Sequence, residues 1–124
     1  MTKPRGPVRQ PVTFETVRLI ALAMSGVEEG TSYGTPAFKV QGTLFARLRE
    51  EGDSLVVRVD AEARDELIAA EPGTYYVTDH YRNYPWVLVR LPRVHPDALR
   101  DLLRTAWRLA SSGTPRTSRR ARRK

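Results

Sequence analysis

The sequence predicts an α+β domain with a mainly antiparallel sheet of about five strands and helices packed on one face. Two observations lead to this prediction. Apolar residues recur at helical spacing near both ends of the chain, and between those segments they alternate at every second residue. The predicted strands form hairpin groups on either side of a central helix, which favours antiparallel pairing. The predicted order is therefore α-β-β-β-α-β-β-α.

The first helix is expected to begin after Thr13, a residue type that favours the N-cap position. Apolar residues from Phe14 to Met24 then fall on one helical face. Gly26 suits the C′ position at which many helices end. The segment 27–35 is polar and contains glycine, so we expect a surface loop that presents Tyr33.

Three short strands are predicted next, over residues 37–40, 43–49 and 54–59. Gln41-Gly42 joins the first two, and Gly52-Asp53 is expected to form a type II′ turn between the last two. Alternation in the second strand puts Leu44, Ala46 and Leu48 on one face and Phe45, Arg47 and Arg49 on the other. In the third strand Arg58 lies opposite the apolar set. One sheet face is therefore expected to supply the core and the other to be rich in arginine.

The second half of the chain is predicted to contain a helix, a hairpin and a final helix. Asp60 is a suitable N-cap for a helix that extends to about Ala70. Two β-rich runs, 74–77 and 86–91, then flank a polar connection and form a hairpin. Pro96 opens the last helix. Its apolar stripe consists of Leu99, Leu102, Leu103, Ala106, Trp107 and Ala110, so Trp107 is predicted to be a core residue.

Aromatic and arginine residues are concentrated in the second hairpin. It holds five of the ten aromatic residues of the chain, together with two arginines: Tyr75, Tyr76, Tyr81, Tyr84 and Trp86, with Arg82 and Arg90. Aromatic faces beside guanidinium groups can stack on bases or on a flat ligand while the charge holds a phosphate. The same rings can instead close a small core, because Tyr and Trp bury large areas. Both interpretations remain open at this stage.

The positive charge of the chain is concentrated in its terminal segments. The net charge is +7, from 21 Lys and Arg and 14 Asp and Glu. Residues 1–12 hold three of the cations and are expected to be a disordered arm. Residues 111–124 hold six more and are expected to be a disordered basic tail: Arg116, Arg119, Arg120, Arg122, Arg123 and Lys124. The predicted domain, 13–110, therefore has twelve basic against fourteen acidic side chains.

The composition gives no sign of a metal site or a membrane span. The chain has no Cys and only two His, which is too few for most zinc sites, so we assign no metal and no cofactor. The apolar run at 19–24 is shorter than the roughly seven to fifteen residues of a signal-peptide core and far shorter than a membrane span. We therefore expect a cytoplasmic protein with no membrane partner. The oligomeric state stays open.

Two stretches, GTPAFKVQGTLFARL at 34–48 and HYRNYPWVLVRL at 80–91, resemble the MmcQ/YjbR family of small bacterial proteins. The resemblance extends over roughly residues 13–110. Its most recognisable residues are Gly34, Pro36, Phe38, Phe45, Leu67, Tyr81, Trp86 and Val87. It implies an α+β fold related to secretion-chaperone-like domains. Members are commonly labelled DNA-binding, with a proposed double-wing arrangement, and the resemblance transfers no catalytic residues. The basic tail lies outside the family pattern.

These observations predict a non-enzymatic DNA-binding protein, with DNA favoured over RNA. The tail is expected to supply most of the affinity by neutralising phosphates. The domain is expected to add contacts through its sheet face and second hairpin: Arg47, Arg49, Arg58, Tyr81, Arg82, Tyr84, Trp86 and Arg90. The alternative is a ligand- or protein-interaction module that uses Tyr33, Tyr84 and Trp86. No Gly-x-Ser-x-Gly, P-loop or dinucleotide-binding motif is present, so we predict no enzymatic activity.

Overall fold

The computed structural model describes residues 12–111, and within them it contains three helices and one six-stranded sheet. In chain order the elements are α1 (Phe14–Leu22), β1 (Val27–Ser32), β2 (Thr35–Val40), β3 (Thr43–Leu48), β4 (Ser54–Arg58), α2 (Ala61–Ala70), β5 (Tyr75–Tyr76), β6 (Trp86–Arg90) and α3 (Pro96–Ser111). The strand order is β1-β2-β3-β4-β6-β5, and every neighbouring pair is antiparallel. The predicted α+β fold is confirmed, with six strands instead of about five.

The additional strand is β1, in the segment that we predicted to be a loop. It lies at the edge of the sheet, and its four central residues are exposed. An exposed edge strand needs no apolar alternation, so the sequence pattern that identifies buried strands is missing here. Tyr33 and Gly34 join β1 to β2 with φ values of 56° and 81°, as expected for a type I′ turn.

A β-bulge in β3 changes which side chains share a face. Phe38 pairs with Ala46 but Lys39 pairs with Leu44, so Phe45 is an additional residue without its own partner in β2. Phe45 and Ala46 consequently both lie in the core, while Leu44 lies on the opposite face with Arg47. The predicted facing of Leu44 and Phe45 was therefore wrong, because strict alternation does not hold across a bulge.

Two predicted element ends also differ from the structure. The predicted type II′ turn is wrong, since residues 50–53 form a four-residue connection. Two backbone hydrogen bonds of Arg49 hold this connection. The Arg49 amide donates to the Ser54 carbonyl, and the Gly52 amide donates to the Arg49 carbonyl, both at 2.9 Å. Helix α1 ends at Leu22, so Gly26, with a φ of 74°, lies in the turn to β1 and not at C′.

The core lies between one face of the sheet and the helices, as predicted. Val17 and Ala21 of α1 and Leu99 and Leu103 of α3 are fully buried against it. Val12, which we placed in the N-terminal arm, is 4% exposed and belongs to this core. The rest of that arm, 1–11, and the tail from 112 onward lie outside the described residues.

Two polar contacts fix helix positions around this core. The Asp60 carboxylate accepts a hydrogen bond from the Ala63 amide at 2.8 Å, which confirms the predicted N-cap of α2. Trp107 of α3 packs against the core while its indole Nε1 donates to the Ser25 carbonyl at 2.9 Å. Trp107 is therefore partly buried, and it links the last helix to the segment that follows α1.

Candidate binding cleft on the open sheet face

A cleft of about 570 Å³ lies on the sheet face opposite the helices. Leu44 and Val56 form its apolar floor. The turn at Tyr33 borders one side, and the loop 78–84 between β5 and β6 borders the other. The complete lining consists of Tyr33, Leu44, Arg47, Arg49, Glu50, Val56, Thr78, His80, Tyr81, Tyr84 and Trp86.

The antiparallel register places Arg47 in the middle of this face. Arg47 pairs with Ala37 on one side and with Val56 on the other. Val56 in turn pairs with Leu88, and Leu88 with Tyr76. This row crosses five strands, so the side chain of Arg47 rises from the interior of the sheet, away from its edges.

The guanidinium of Arg47 is held mainly by neutral oxygen atoms. Its Nη2 donates to the Tyr81 hydroxyl at 2.7 Å, and its Nη1 donates to Thr35 Oγ1 and the Leu48 carbonyl, both at 3.2 Å. The carboxylate of Glu50 is 3.9 Å away and 62% exposed, whereas the Arg47 side chain is only 8% exposed. The positive charge is thus largely buried and has a distant, solvent-screened counterion.

Arg49 provides a second cation at the same end of the cleft. Its Nη1 lies 3.3 Å from the Glu51 carboxylate and 3.4 Å from the Tyr76 hydroxyl. Burial lowers the pKa of Arg49, but the bond with Tyr76 and the charge of Glu51 outweigh this effect, so its pKa lies above the usual value. Its Nε is buried and has no acceptor within residues 12–111. Arg49 therefore stays charged in every physiological condition.

The loop 78–84 is held in place by its own backbone and by one buried arginine. The amides of Tyr81 and Tyr84 donate to the carbonyls of Thr78 and Tyr81, both at 3.0 Å. Arg64 of α2 donates from Nη1 to the Tyr84 carbonyl at 3.0 Å. Arg64 lies in a polar helix and was not among the predicted site residues, yet it is buried. This positioning residue was missed because its partner is 20 residues away in the sequence.

Tyr33 is the most exposed aromatic residue at the cleft. Its side chain is 81% exposed, and the Arg47 guanidinium lies 5.1 Å from its ring centroid. A non-glycine residue with a positive φ is uncommon and costs of order 1 kcal/mol or more. An exposed tyrosine in this conformation makes little contribution to the core. Strain of this kind at an exposed ring is typical of functional positions.

The structure brings together some of the predicted site residues and separates others. Arg47, Arg49, Tyr81, Tyr84 and Trp86 all line the cleft, as does Tyr33. Three predicted residues do not line it. Arg58 lies 6.0 Å from the Trp86 ring, Arg82 pairs with Asp79 at 3.1 Å, and Arg90 lies over Tyr76 at 4.0 Å. The six tail residues from Arg116 to Lys124 lie outside the described residues.

Some lining residues were not in the predicted site. Leu44, Glu50, Val56, Thr78 and His80 were not identified. For Val56 a signal was available, since it alternates with Leu55 and Val57 and therefore faces the arginine side. In the part of the chain that the structure describes, His, Asp and Glu side chains form no group of three or more that is suited to a metal ion. None of the helices there has the length and apolarity needed to cross a membrane.

Comparison with known proteins gives both a family and a fold match. The model of the YjbR family matches residues 22–109. An uncharacterized protein of Mycobacterium tuberculosis and one of Mycobacterium bovis are each 46% identical over 57 residues, which is 45% of this chain and 44% of theirs. The match thus spans less than half the length of these curated relatives.

A solved structure shows the same fold. The crystal structure of a Deinococcus radiodurans protein with a DUF419 domain has a TM-score of 0.72 and 23% sequence identity. The similarity covers 85% of this chain and 83% of that protein. At this identity it supports the fold and carries no information about activity.

Proposed function

The chain belongs to the YjbR family, and from that premise we propose that it is a non-enzymatic nucleic-acid-binding protein that prefers DNA to RNA. A cytoplasmic location is part of this proposal, since that is where a bacterial protein meets DNA. The observation that supports it best is the cleft, in which two arginines and three exposed or partly exposed aromatic side chains, Tyr33, Tyr84 and Trp86, converge.

Most of the affinity is assigned to the C-terminal tail. The residues 12–111 hold twelve basic and fourteen acidic side chains, so the domain has no net attraction for a polyanion. Residues 111–124 hold six cations, from Arg116 to Lys124. Each cation that meets a phosphate releases counterions, which makes binding favourable at low salt and weaker as salt rises. This assignment rests on the distribution of charge along the sequence.

The domain is assigned a smaller, more selective contribution. Contacts to the sugar–phosphate backbone position a nucleic acid, whereas contacts to its bases distinguish one nucleic acid from another. Arg47 and Arg49 can hold a phosphate, and the rings of Tyr33, Tyr84 and Trp86 can stack on a base. Arg58, Arg82 and Arg90 lie outside the cleft and are assigned, at most, contacts to the backbone of a longer nucleic acid.

A second candidate function uses the same cleft without nucleic acid. A concave site with an apolar floor and a few fixed polar groups is also typical of ligand- or protein-interaction modules. The exposure of Tyr33 and Tyr84, at 81% and 58%, favours this candidate, because exposed rings are suited to cover a partner. It would not require the tail.

The two functions are separated by binding to duplex DNA and RNA, measured by fluorescence anisotropy over a salt series. The protein is compared with a full-length variant in which the six tail cations, from Arg116 to Lys124, are replaced by Gln. We expect the variant to lose most of its affinity, and the salt slope to decrease by roughly five, at about 0.9 per phosphate contact. Unchanged affinity and slope would contradict the role of the tail. If the unmodified protein binds neither nucleic acid at low salt, the second candidate replaces the first.

A further inference from the structure

We infer that the cleft binds one unpaired nucleotide, with its base against Tyr33 and its phosphate directed to Arg47. This inference rests on the proposed function and deepens it, since it names the form of nucleic acid that the domain selects. It predicts that the domain distinguishes single-stranded from duplex DNA, whereas the tail does not.

The dimensions of the cleft fit a single nucleotide. Its volume of about 570 Å³ is in the usual range for sites that enclose a small molecule. It is bordered by Tyr33 and by the loop 78–84, and a site of this volume cannot enclose a double helix. A flat group can lie over the apolar floor formed by Leu44 and Val56.

The positive charge of the cleft favours the binding of an anion near Arg47. Its side chain is more than nine-tenths buried, but its hydrogen-bond partners are neutral: Tyr81, Thr35 and the Leu48 carbonyl. The nearest carboxylate, of Glu50, stays at 3.9 Å and is mostly in solvent. A phosphate can displace the Glu50 carboxylate from this loose ion pair, because a hydrogen-bonded guanidinium–phosphate contact is stronger and more directional than a contact at 3.9 Å.

Tyr33 provides a stacking surface that the fold itself does not need. Most of its ring is exposed, and its backbone is held in a conformation that asparagine or glycine would adopt at lower cost. The Arg47 guanidinium near the ring fixes the distance between the stacking surface and the charge. In a nucleotide the sugar likewise holds the base and the phosphate within a short distance of each other.

Base pairing would block this mode of binding. A base within a duplex is covered on both faces by its neighbours, whereas a base in a single strand can leave the stack and lie on an aromatic ring. The twelve basic and fourteen acidic side chains of residues 12–111 also give the domain no net attraction for the duplex backbone. Selection of unpaired nucleotides is therefore the contribution that this surface is suited to make.

The test measures anisotropy of the full-length protein with a 5′-phosphorylated single-stranded oligonucleotide and with the matching duplex. Tyr33→Ala is expected to weaken single-strand binding about tenfold, in line with the loss of one stacked base, and to leave duplex affinity unchanged. Gln41→Ala is the matched control, since Gln41 also has a positive φ, in the β2–β3 turn, but does not line the cleft. Equal loss on both substrates, or no loss, would overturn the inference.

A second variant tests the position of the phosphate. Arg47→Lys keeps the charge but removes the two-pronged donor, so we expect the advantage of a 5′-phosphorylated over an unphosphorylated strand to shrink several-fold. Competition with free nucleoside monophosphates identifies the source of the ligand. Displacement at micromolar to millimolar concentration points to a free nucleotide, and displacement only by a strand points to a nucleic acid end.

The same measurements separate this inference from the proposed function. If the unmodified protein binds both strands and duplex but Tyr33→Ala has no selective effect, the nucleotide site is wrong and the proposed function stands. If the protein binds free nucleotide, sensitive to Tyr33→Ala, but no polynucleotide, the proposed function is wrong and the site stands. Binding of neither free nucleotide nor strand would overturn both.

Discussion

The Nη2 atom of Arg47 donates a hydrogen bond of 2.7 Å to the hydroxyl of Tyr81, a residue 34 positions later in the chain. This contact joins the centre of the sheet to the loop 78–84, which forms one side of the cleft. The cleft is therefore complete only when the second hairpin has paired with β4 and joined the sheet of the first four strands. The contact also keeps the guanidinium directed toward the space that Tyr33 and Tyr84 border.

Removal of the Tyr81 hydroxyl should destabilise the protein. Tyr81→Phe leaves a buried guanidinium N–H without its acceptor, and we expect the free energy of unfolding to fall by about 1–3 kcal/mol. Urea denaturation monitored by tryptophan fluorescence measures this change. Tyr84→Phe is the control, since that residue is 58% exposed. Equal effects of the two substitutions would show that the Arg47–Tyr81 bond has no special importance.

Replacement of Tyr33 by asparagine should make the protein more stable and a weaker binder. Asparagine tolerates a positive φ better than tyrosine does, so we expect the free energy of unfolding to rise by about 0.5–1 kcal/mol, less the lost contact with Arg47. Gln41→Asn should give a similar gain in stability without loss of binding. Thermal denaturation and single-strand anisotropy measure the two quantities. A Tyr33→Asn variant that binds as well as the unmodified protein would contradict the assigned role of the ring.

The buried arginine of α2 should control the order of the cleft loop. Arg64→Met preserves most of the side-chain volume but removes the donor to the Tyr84 carbonyl. We expect amide hydrogen exchange in residues 81–84 to become up to about tenfold faster, which corresponds to the loss of one hydrogen bond. Arg100→Met, at an exposed position on α3, should leave those amides unchanged. Exchange that stays the same in both variants would mean that the loop is held by its own backbone bonds alone.

The indole of the last helix should stabilise the domain without taking part in binding. Trp107→Phe removes the hydrogen bond from Nε1 to the Ser25 carbonyl, and we expect the free energy of unfolding to decrease by about 1 kcal/mol. Nucleic-acid affinity should not change, because Trp107 lies on the helical side of the sheet, away from the cleft. Trp86→Phe gives the contrast, since we expect it to affect binding more than stability. A change in affinity with Trp107→Phe would argue against the assignment of the site.

The sequence was informative where burial imposes a periodic pattern. The apolar stripe of α3, the Asp60 cap and the pairing of residues 75–76 with β6 were all predicted and are present. The concentration of arginine and aromatic residues also identified most of the cleft, because such residues alternate with core residues along β3 and β6. Each of these features is determined by a short stretch of the sequence and can be predicted without knowledge of distant contacts.

Other features depend on contacts that local patterns do not encode. Strand β1 carries no alternation because it lies at an exposed edge. Arg64 is a good helix former in a polar helix, and only the approach of the Tyr84 carbonyl makes it a buried residue. Arg58 was assigned to the site by strand alternation, and Arg82 and Arg90 by their place in the second hairpin, yet none of the three lines the cleft, and each lies against an aromatic or acidic neighbour instead.

The irregular pairing at Phe45 has a practical consequence for protein engineering. In a regular strand Phe45 and Arg47 would share a face, so either a large ring would fill the cleft or a guanidinium would enter the apolar interior. Transfer of this binding surface to another antiparallel scaffold therefore requires a recipient hairpin with the same two-against-one pairing. If only the side chains were copied onto a hairpin with regular pairing, the binding surface would not be reproduced.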